Sequence, residues 1–273
     1  QGPMISAKYI KLPLLLLAMV LFQNCKLADL RTSAVQDDLL LREPKAVALL
    51  ETVIQNQNLG VLEDSKTYTL QLTDNWRGLS ALVNPFPRDN QPLNISFTPK
   101  TFESHFHYTN IRNQKTYGVE ATNYYVINKE GKKKFKKKRS MVFSLAALQY
   151  LFELPLRLRE AEILKYAGNT TFEGMAYHLV FASWQSVTPN TEFDQYLLYI
   201  SKETGHLRFA SYTVRGNYLP APKSIYGSIR FEDIKKDDSG VNYPSTLYIQ
   251  LNQLKQKPRS SRILTVSNLR LQQ

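Results

Sequence analysis

SMVFSLAALQYLFELPLRLRE, residues Ser140–Glu160, is the stretch that decides the fold expected for this chain of 273 residues. Ser140 is a suitable N-cap, and Pro155 is expected to end a helix at or just before it, because proline removes a backbone donor and restricts the residue before it. Apolar residues recur at steps of three and four, the spacing of one helical face; they are Val142, Leu145, Leu148, Leu151 and Phe152. A single apolar helix among strands covers one face of a sheet.

The residues on both sides of this helix alternate with a period of two, which is typical of β-strands. Turns are predicted at Lys129-Glu130-Gly131 and at Lys202-Glu203-Thr204-Gly205. About eleven consecutive strands with short turns favour one antiparallel sheet curled into a barrel or half-barrel. The predicted strands are Thr67–Thr73, Gly78–Val83, Asn94–Thr98, Thr101–Thr109, Tyr117–Asn128, Thr170–Trp184, Phe193–Ser201, His206–Arg215, Ser224–Phe231, Tyr243–Leu251 and Ser261–Leu269.

A second helix is predicted from Pro44 onward, in PKAVALLETVIQNQN. Proline is tolerated in a first helical turn, and Gly60 is a plausible C-terminal stop. Its apolar stripe consists of Ala46, Leu49, Leu50, Val53 and Ile54. The expected fold is therefore mainly β (α+β): a curved antiparallel sheet that forms a half-open barrel, covered by an N-terminal helix and a mid-chain helix.

The first residues have the pattern of a secretory signal. Gln1-Gly2-Pro3 before Met4 is interpreted as a cloning remnant, so that residues 1–24 comprise this remnant and the signal. Lys8 and Lys11 precede the apolar run Leu12–Phe22, which is too short to span a bilayer as a mature helix.

Cys25 directly follows the signal segment Met4–Asn24. It is the one cysteine of the chain, so no internal disulfide is possible. The arrangement resembles a bacterial lipoprotein signal with Cys25 as the lipidated residue, although Asn24 and Phe22 depart from the usual pattern. The alternative is an ordinary signal peptide with an incidental cysteine. With lipidation, residues 25–43 would form a tether and residues 44–273 a single domain.

The positive charge of the chain is concentrated in one run. The net charge is +12, and Lys129–Arg139 holds eight basic residues and one acidic residue. A nucleic-acid-binding protein would spread its basic residues over a face and interleave aromatic residues, so this class is disfavoured. The residues concerned are Lys132, Lys133, Lys134, Lys136, Lys137, Lys138 and Arg139.

Three interpretations of this basic run stay open. It could be an exposed edge strand that lysines protect against aggregation. It could contact anionic lipid head groups, at about 1 kcal/mol per basic residue near such a surface. It could also dock to an acidic partner protein.

Motifs that would assign catalysis or a cofactor are missing from the sequence. Glu103, His105 and His107 would share one face of a strand and could ligate a metal. Because no fourth ligand is evident, a solvated strand face with Phe102 and Phe106 packed inward is favoured. The sequence contains no nucleophile elbow, phosphate-binding loop or dinucleotide fingerprint. We therefore expect no enzyme activity, no catalytic residue, no metal and no cofactor.

Three segments carry a resemblance to a known family. Leu148–Leu156 (LQYLFELPL) ends a helix in a Leu-Pro step, and Leu164–Tyr177 (LKYAGNTTFEGMAY) leads to a Phe-x-Gly turn. Tyr196–Thr213 (YLLYISKETGHLRFASYT) forms a hairpin of the type Tyr-x-x-Tyr-Ile-x-x-x-Thr. With the order of elements, these segments resemble the LolA/LolB-like superfamily of periplasmic lipoprotein carriers. More narrowly, they are similar to an uncharacterised branch of Bacteroidota-type lipoproteins.

The resemblance implies a curved sheet whose concave apolar side is covered by helices, and in the carriers this cavity holds acyl chains. It implies a non-catalytic, lipid-anchored protein of the periplasm or outer membrane that binds lipid or an acylated polypeptide in an apolar groove. Its partners would be the membrane, through Cys25, and the bound lipid or acylated protein. The candidate wall residues are Leu145, Leu148, Leu151, Phe152, Phe181, Tyr199, Phe209 and Tyr212, with the two tyrosine hydroxyls available to a head group.

A second interpretation has a filled core. The protein would then be a structural or interaction subunit of an outer-membrane assembly, with an outer-membrane protein as its partner.

Overall fold

The computed structural model of the protein describes residues 26–38, 40–111, 115–216, 222–255 and 260–273. Within these ranges the chain forms thirteen strands, four α-helices and one 3-10 helix, Gly78–Val83. The helices are α1 (Pro44–Asn56), α2 (Leu59–Asp64), α3 (Arg139–Phe152) and α4 (Leu154–Arg159). The strands are β1 (Thr67–Trp76), β2 (Leu93–Phe97), β3 (Ser104–Tyr108), β4 (Thr116–Glu120), β5 (Asn123–Ile127), β6 (Lys133–Lys136), β7 (Ile163–Phe172), β8 (Met175–Ser183), β9 (Tyr196–Ser201), β10 (Leu207–Thr213), β11 (Tyr226–Lys236), β12 (Asn242–Leu251) and β13 (Arg262–Gln272).

All thirteen strands belong to one antiparallel sheet in the order β6-β5-β4-β3-β2-β1-β13-β12-β11-β10-β9-β8-β7. Two meanders, β1–β6 and β7–β13, are joined where the first strand pairs with the last. The sheet is not closed, since β6 and β7 are its two edges. The mainly β, half-open barrel with a few helices that the sequence predicted is confirmed.

A buried ion pair fastens the two meanders where β1 ends. Arg262 on β13 donates two hydrogen bonds, of 2.8 and 2.7 Å, to the carboxylate of Asp74 on β1. Both side chains are buried, and the Arg262 guanidinium lies 4.5 Å from the centre of the Trp76 ring. Because two parallel hydrogen bonds fix direction as well as distance, this pair holds the register of β1 on β13.

The main core lies on the inner face of the sheet, beneath α1 and α3. On β8, Val180 and Ala182 belong to this core, whereas Leu179 and Phe181 alternate with them and belong to a separate cluster on the outer face. The predicted stripe of α1 is confirmed at Ala46, Leu50, Val53 and Ile54, which are buried, while Leu49 is partly buried.

The chain before α1 passes from the outer face to the inner face around the edge strand β7. Leu30 and Val35 are buried on the outer face, and the backbone of residues 41–43 then hydrogen-bonds to Leu164 of β7. Lys165 is fully buried, and its ammonium group donates hydrogen bonds to the Asp38 carboxylate and to the carbonyl of Leu40. The described part of the predicted tether therefore packs against the sheet.

Two predicted strands are hairpins. Tyr117–Asn128 is divided into β4 and β5 by a turn at Ala121 and Thr122, which have positive φ angles of 44° and 67°. Thr170–Trp184 is divided into β7 and β8 at Glu173 and Gly174. The alternation of side chains was predicted correctly. It continues with the same period of two on both sides of each turn, so it does not reveal where the turn lies.

The predicted strand Gly78–Val83 is wrong, because these residues form the 3-10 helix. Pairing of β1 with β13 ends at Trp76, and Gly78 has a φ of +59°, so the chain leaves the sheet before this segment. The helix stop near Gly60 is also wrong: α1 ends at Asn56, and the chain reverses at Asn58, with a φ of 53°, into α2.

The ends of the mid-chain helix differ in part from the prediction. It begins at Arg139, with Lys138 rather than Ser140 at the N-cap position, and it ends at Phe152, before Pro155 as expected. Leu154 is helical after all, since it starts α4 with Pro155 in the first turn, where its missing N–H costs nothing.

Candidate functional site

The candidate site is the interface between α3 and the inner face of the sheet. Met141, Leu145, Leu148 and Phe152 follow one another at steps of four, three and four and are buried, so they form the stripe that the sequence predicted in a slightly different register. They share one apolar core with inner-face residues of both meanders. The helix therefore covers the concave side of the sheet.

Polar contacts of α3 are concentrated at its C-terminal end. Gln149 donates hydrogen bonds of 2.8 Å to the carbonyl of Thr98 and to the carboxylate of Glu153. Glu153 also accepts a hydrogen bond of 3.0 Å from the hydroxyl of Tyr68. It forms an ion pair with Arg157, whose Nη2 lies 2.7 Å from its carboxylate oxygen Oε2. These contacts fasten the last turn of α3 to β1 and to α4.

The carboxyl group of Glu153 is buried, with 2% of its side chain exposed. Burial raises its pKa, although the contacts with Gln149, Arg157 and Tyr68 each favour the ionised form. Burial, together with the charge of Glu153, raises the pKa of Tyr68 well above that of a free tyrosine. Neither Glu153 nor Tyr68 was predicted as a site residue, although a glutamate just after an apolar helical stripe is a signal for a buried carboxyl group.

Aromatic rings connect the middle of α3 to the second meander. Tyr150 stacks on Tyr196 with ring centres 5.7 Å apart, and Tyr196 stacks on Tyr212 at 6.4 Å. Trp184 meets Tyr196 edge to face at 6.0 Å. Burial raises the pKa of Tyr150 to about 12, so the hydroxyl of this residue stays neutral at physiological pH.

Two cavities lie next to the helices among the described residues, and neither is both apolar and large. An enclosed apolar gap has a volume of about 20 Å³ and lies between Leu62, Tyr68, Phe152 and Tyr243. A more open cavity of about 330 Å³ lies beside Glu153, but its walls carry the charged residues Glu63, Lys100, Arg157 and Arg159. Glu63 pairs with Lys100 and Arg159, and Glu153 pairs with Arg157. The charged side chains that line this cavity therefore largely compensate one another.

The predicted wall residues lie on two faces of the sheet. Leu145, Leu148 and Phe152 are buried beneath α3, while Leu151 and Tyr212 are partly buried at the edge of the same core. Phe181 is fully buried in the outer-face cluster, and Tyr199 and Phe209 pack together on that face with ring centres 6.0 Å apart. The eight residues therefore do not line one groove, because the alternation of β8, β9 and β10 points three of them away from the helix.

The basic run lies at the free edge of the first meander. Within it, Lys133–Lys136 forms β6, and every residue from Lys132 to Arg139 is exposed. Of the three interpretations of this run, the exposed edge strand is confirmed, while contact with lipid head groups or with an acidic partner stays a prediction. The run leads directly into the first turn of α3, so its charges stand where that helix begins.

The strand face with two histidines is on the outside of the sheet. His105 is exposed and His107 partly exposed, and Phe106 packs inward as predicted. Phe102 does not: it is 44% exposed and contacts the Arg157 guanidinium at 4.6 Å. Among the residues that the structure describes, no three His, Cys, Asp or Glu side chains are grouped to hold a metal ion.

The expected lipidation site Cys25 and the signal before it lie outside the described residues. Within the described ranges, no helix has the length and apolar character needed to cross a membrane.

No protein-family model and no curated protein matches the sequence. Among solved structures, the chain is similar to a DUF1329 family protein from Desulfovibrio piger, with 11% identity, 82% of this chain and 92% of that chain covered and a TM-score of 0.46. It is similar to a putative outer membrane lipoprotein-sorting protein domain from Vibrio parahaemolyticus, with 10% identity, coverage of 83% and 93% and a TM-score of 0.45. It is also similar to a LolA superfamily protein from Nitrosomonas europaea, with 11% identity, coverage of 84% and 94% and a TM-score of 0.45.

Proteins of the superfamily named from the sequence are thus among these structural neighbours, while the Bacteroidota-type branch stays a prediction. All three identities are close to a tenth and all three TM-scores are below 0.5, so these likenesses identify neither a ligand nor a partner of this chain.

Proposed function

We propose that the protein binds the acyl chain of a lipid or of an acylated polypeptide between α3 and the inner face of the sheet, without catalysis. It would do so as an exported envelope protein attached to a membrane by a lipid on Cys25. The observation that carries the proposal is the uneven fastening of α3. Its first three turns contact the sheet mainly through apolar side chains, and its buried hydrogen bonds to other elements lie at Gln149 and at Glu153, which follows its last turn. At the other end, the exposed N-cap residue Lys138 donates one hydrogen bond to the carbonyl of Pro85.

Such a helix can move as a lid about its fastened end. Apolar contacts are not directional, so contacts of Leu145 and Leu148 with the sheet can be replaced by contacts with acyl methylenes at little cost. Each buried methylene contributes about 0.8 kcal/mol. A chain of a dozen carbons therefore offers binding energy of the same order as the core contacts that it displaces.

The conformation described here is the closed one. The apolar gap of about 20 Å³ is far smaller than the roughly 300 Å³ at the lower end of ligand pockets. An acyl chain must therefore select or produce a conformation in which α3 has moved. Lys132–Arg139, directly before α3, would meet an anionic head group at the mouth of the opened groove.

A matched pair of cavity-forming substitutions tests this lid. Leu148 under α3 and Leu179 on the outer face are both buried leucines of separate clusters. Each Leu→Ala change should cost about 2–5 kcal/mol of stability. Only Leu148→Ala creates space in the proposed groove, so it should strengthen binding of a fluorescent fatty acid several-fold, whereas Leu179→Ala should leave binding unchanged.

The full chain, purified from the envelope of the bacterium that expresses it, is then analysed by native mass spectrometry and lipid extraction. Copurified lipid or acylated peptide supports the proposal and identifies the ligand. An empty protein that also rejects the fatty acid in both variants would refute it.

One observation favours the alternative, an interaction subunit of an outer-membrane assembly: the core is already filled. In that case Leu148→Ala and Leu179→Ala would be equally destabilising, neither would change lipid binding, and partner proteins rather than lipid would copurify with the chain.

A further inference from the structure

The loop between β1 and β2 presents two leucines to solvent. Leu79 and Leu82 of the 3-10 helix are 85% and 82% exposed, more than any other large apolar side chain of the described residues. Residues three apart lie on the same side of a 3-10 helix, so the two side chains form one projecting apolar surface. Single exposed leucines are common, whereas two that project together form a candidate contact surface.

Hydrogen bonds and one buried aromatic side chain hold this loop in place. The Ser80 hydroxyl contacts the carbonyls of Arg77 and Ser261, and the Asn84 side chain accepts a hydrogen bond of 2.9 Å from the Phe86 amide. Phe86 is buried and packs on Phe106, with ring centres 5.4 Å apart. The leucines are therefore held outward by a folded support.

Basic residues adjoin the leucine pair along the loop, together with one acidic residue, Asp89. Arg77 and Arg88 flank the 3-10 helix and are exposed. The ammonium group of Lys138 donates a hydrogen bond of 2.8 Å to the carbonyl of Pro85, which joins the basic run to this loop. An apolar projection with basic residues beside it is complementary to a bilayer with anionic head groups, and not to an acidic polar surface alone.

The same rim of the sheet holds the start of the described chain. Ala28, three residues after Cys25, donates its amide to the carbonyl of Lys223 at 2.9 Å, and Lys223 precedes β11. The 3-10 helix follows the end of β1, and that end pairs with the start of β13. Since β1 and β11 are three strands apart in the sheet, the two points lie on the same rim, about 14 Å apart along it.

We propose that Leu79 and Leu82 insert into the interfacial region of a bilayer containing anionic lipids and orient the protein with this rim toward the membrane. This inference does not depend on acyl-chain binding, because the leucine pair lies outside the core beneath α3.

Depth-resolved quenching tests the proposal on the full chain purified from the envelope and reconstituted into vesicles of phosphatidylethanolamine and phosphatidylglycerol. An environment-sensitive fluorophore is attached at Leu82→Cys or, as the matched control, at Met175→Cys. Met175 is 40% exposed at the start of β8, on the opposite rim. Attachment to vesicles is not the readout, because Leu12–Phe22 or a lipid on Cys25 would each provide it.

We expect brominated lipids to quench the label at position 82 several-fold more than the label at position 175, and aqueous iodide to show the reverse order. Replacing phosphatidylglycerol by phosphatidylcholine should reduce the lipid quenching at position 82. Equal access of iodide to both positions would overturn the proposal. Protection of position 82 that appears only with envelope proteins, and without lipid quenching, would overturn it in favour of a protein partner.

Discussion

The hydroxyl of Tyr68, near the start of β1, donates a hydrogen bond of 3.0 Å to the buried carboxylate of Glu153 at the end of α3. Both side chains are almost fully buried. With the hydrogen bond from Gln149 to the carbonyl of Thr98, this bond connects the C-terminal end of the covering helix to the first meander. Its strength therefore bears on both stability and the movement proposed for α3.

Removing the donor should destabilise the protein. Tyr68→Phe leaves Glu153 with one buried hydrogen bond fewer, and a lost partner of a buried charged group costs about 1–3 kcal/mol. Urea unfolding followed by circular dichroism measures the loss. Tyr248→Phe, at a partly exposed tyrosine of β12, is the control and should change the free energy of unfolding by less than about 0.5 kcal/mol. Equal effects of the two substitutions would contradict the role given to Tyr68.

The raised pKa of Glu153 predicts how stability depends on pH. A carboxyl group with a higher pKa in the folded state binds more protons there than in the unfolded state, so its contribution to stability falls as pH rises. The fall begins near the ordinary glutamate value of 4.5 and continues through the raised native value. The free energy of unfolding of the wild type, measured relative to Glu153→Gln by urea titrations from pH 4 upward, should therefore decrease. A difference that stays constant or increases with pH would refute the raised pKa.

Asp74→Asn should be among the most damaging single substitutions. It leaves the buried guanidinium of Arg262 without its counter-charge, at a cost of about 3–5 kcal/mol. The exposed pair Lys129–Glu130, 3.7 Å apart, is the comparison, and Glu130→Gln should cost less than about 1 kcal/mol. Thermal and urea unfolding would show the difference, and similar midpoints for the two variants would count against the buried pair.

Lys165 should control how tightly the chain before α1 is held against β7. In Lys165→Ala the Asp38 carboxylate and the Leu40 carbonyl lose their buried donor, so the segment around Arg42 should detach more often. Limited trypsin digestion should then cleave near Arg42 several-fold faster than in the wild type, with Lys202→Ala as an exposed control. Unchanged cleavage would show that the backbone hydrogen bonds of residues 41–43 to Leu164, with the apolar contacts of Leu30 and Val35, hold the segment without Lys165.

Much of the sheet could be predicted from side-chain periodicity, because alternation reports which residues face the core. The hairpin between β4 and β5 could not, since its turn residues Ala121 and Thr122 adopt positive φ angles without glycine or asparagine to signal them. The segment Gly78–Val83 alternates like a strand but has no neighbouring strand to pair with. Periodicity describes a face, not its partner.

The candidate site was less predictable than the fold. The sequence identified the buried stripe of α3 closely, because helical spacing fixes which residues share a face. It grouped Phe181, Tyr199 and Phe209 with that stripe because aromatic residues on strands are apolar in either direction, and only the register of β8, β9 and β10 shows which way each one points. The residues that fasten α3, Tyr68 and Glu153, are 85 positions apart, and no local pattern connects them.

The pairing of the first strand with the last also has a kinetic consequence. Thr67 and Gln272 lie opposite each other although 205 positions separate them. Contacts between such distant residues form slowly, because a long loop must close before any of their energy is recovered. Until β13 has been synthesised, β1 lacks one of its two neighbours and the two meanders cannot join. The sheet can therefore be completed only after the last strand has been synthesised, even though the first meander is made much earlier.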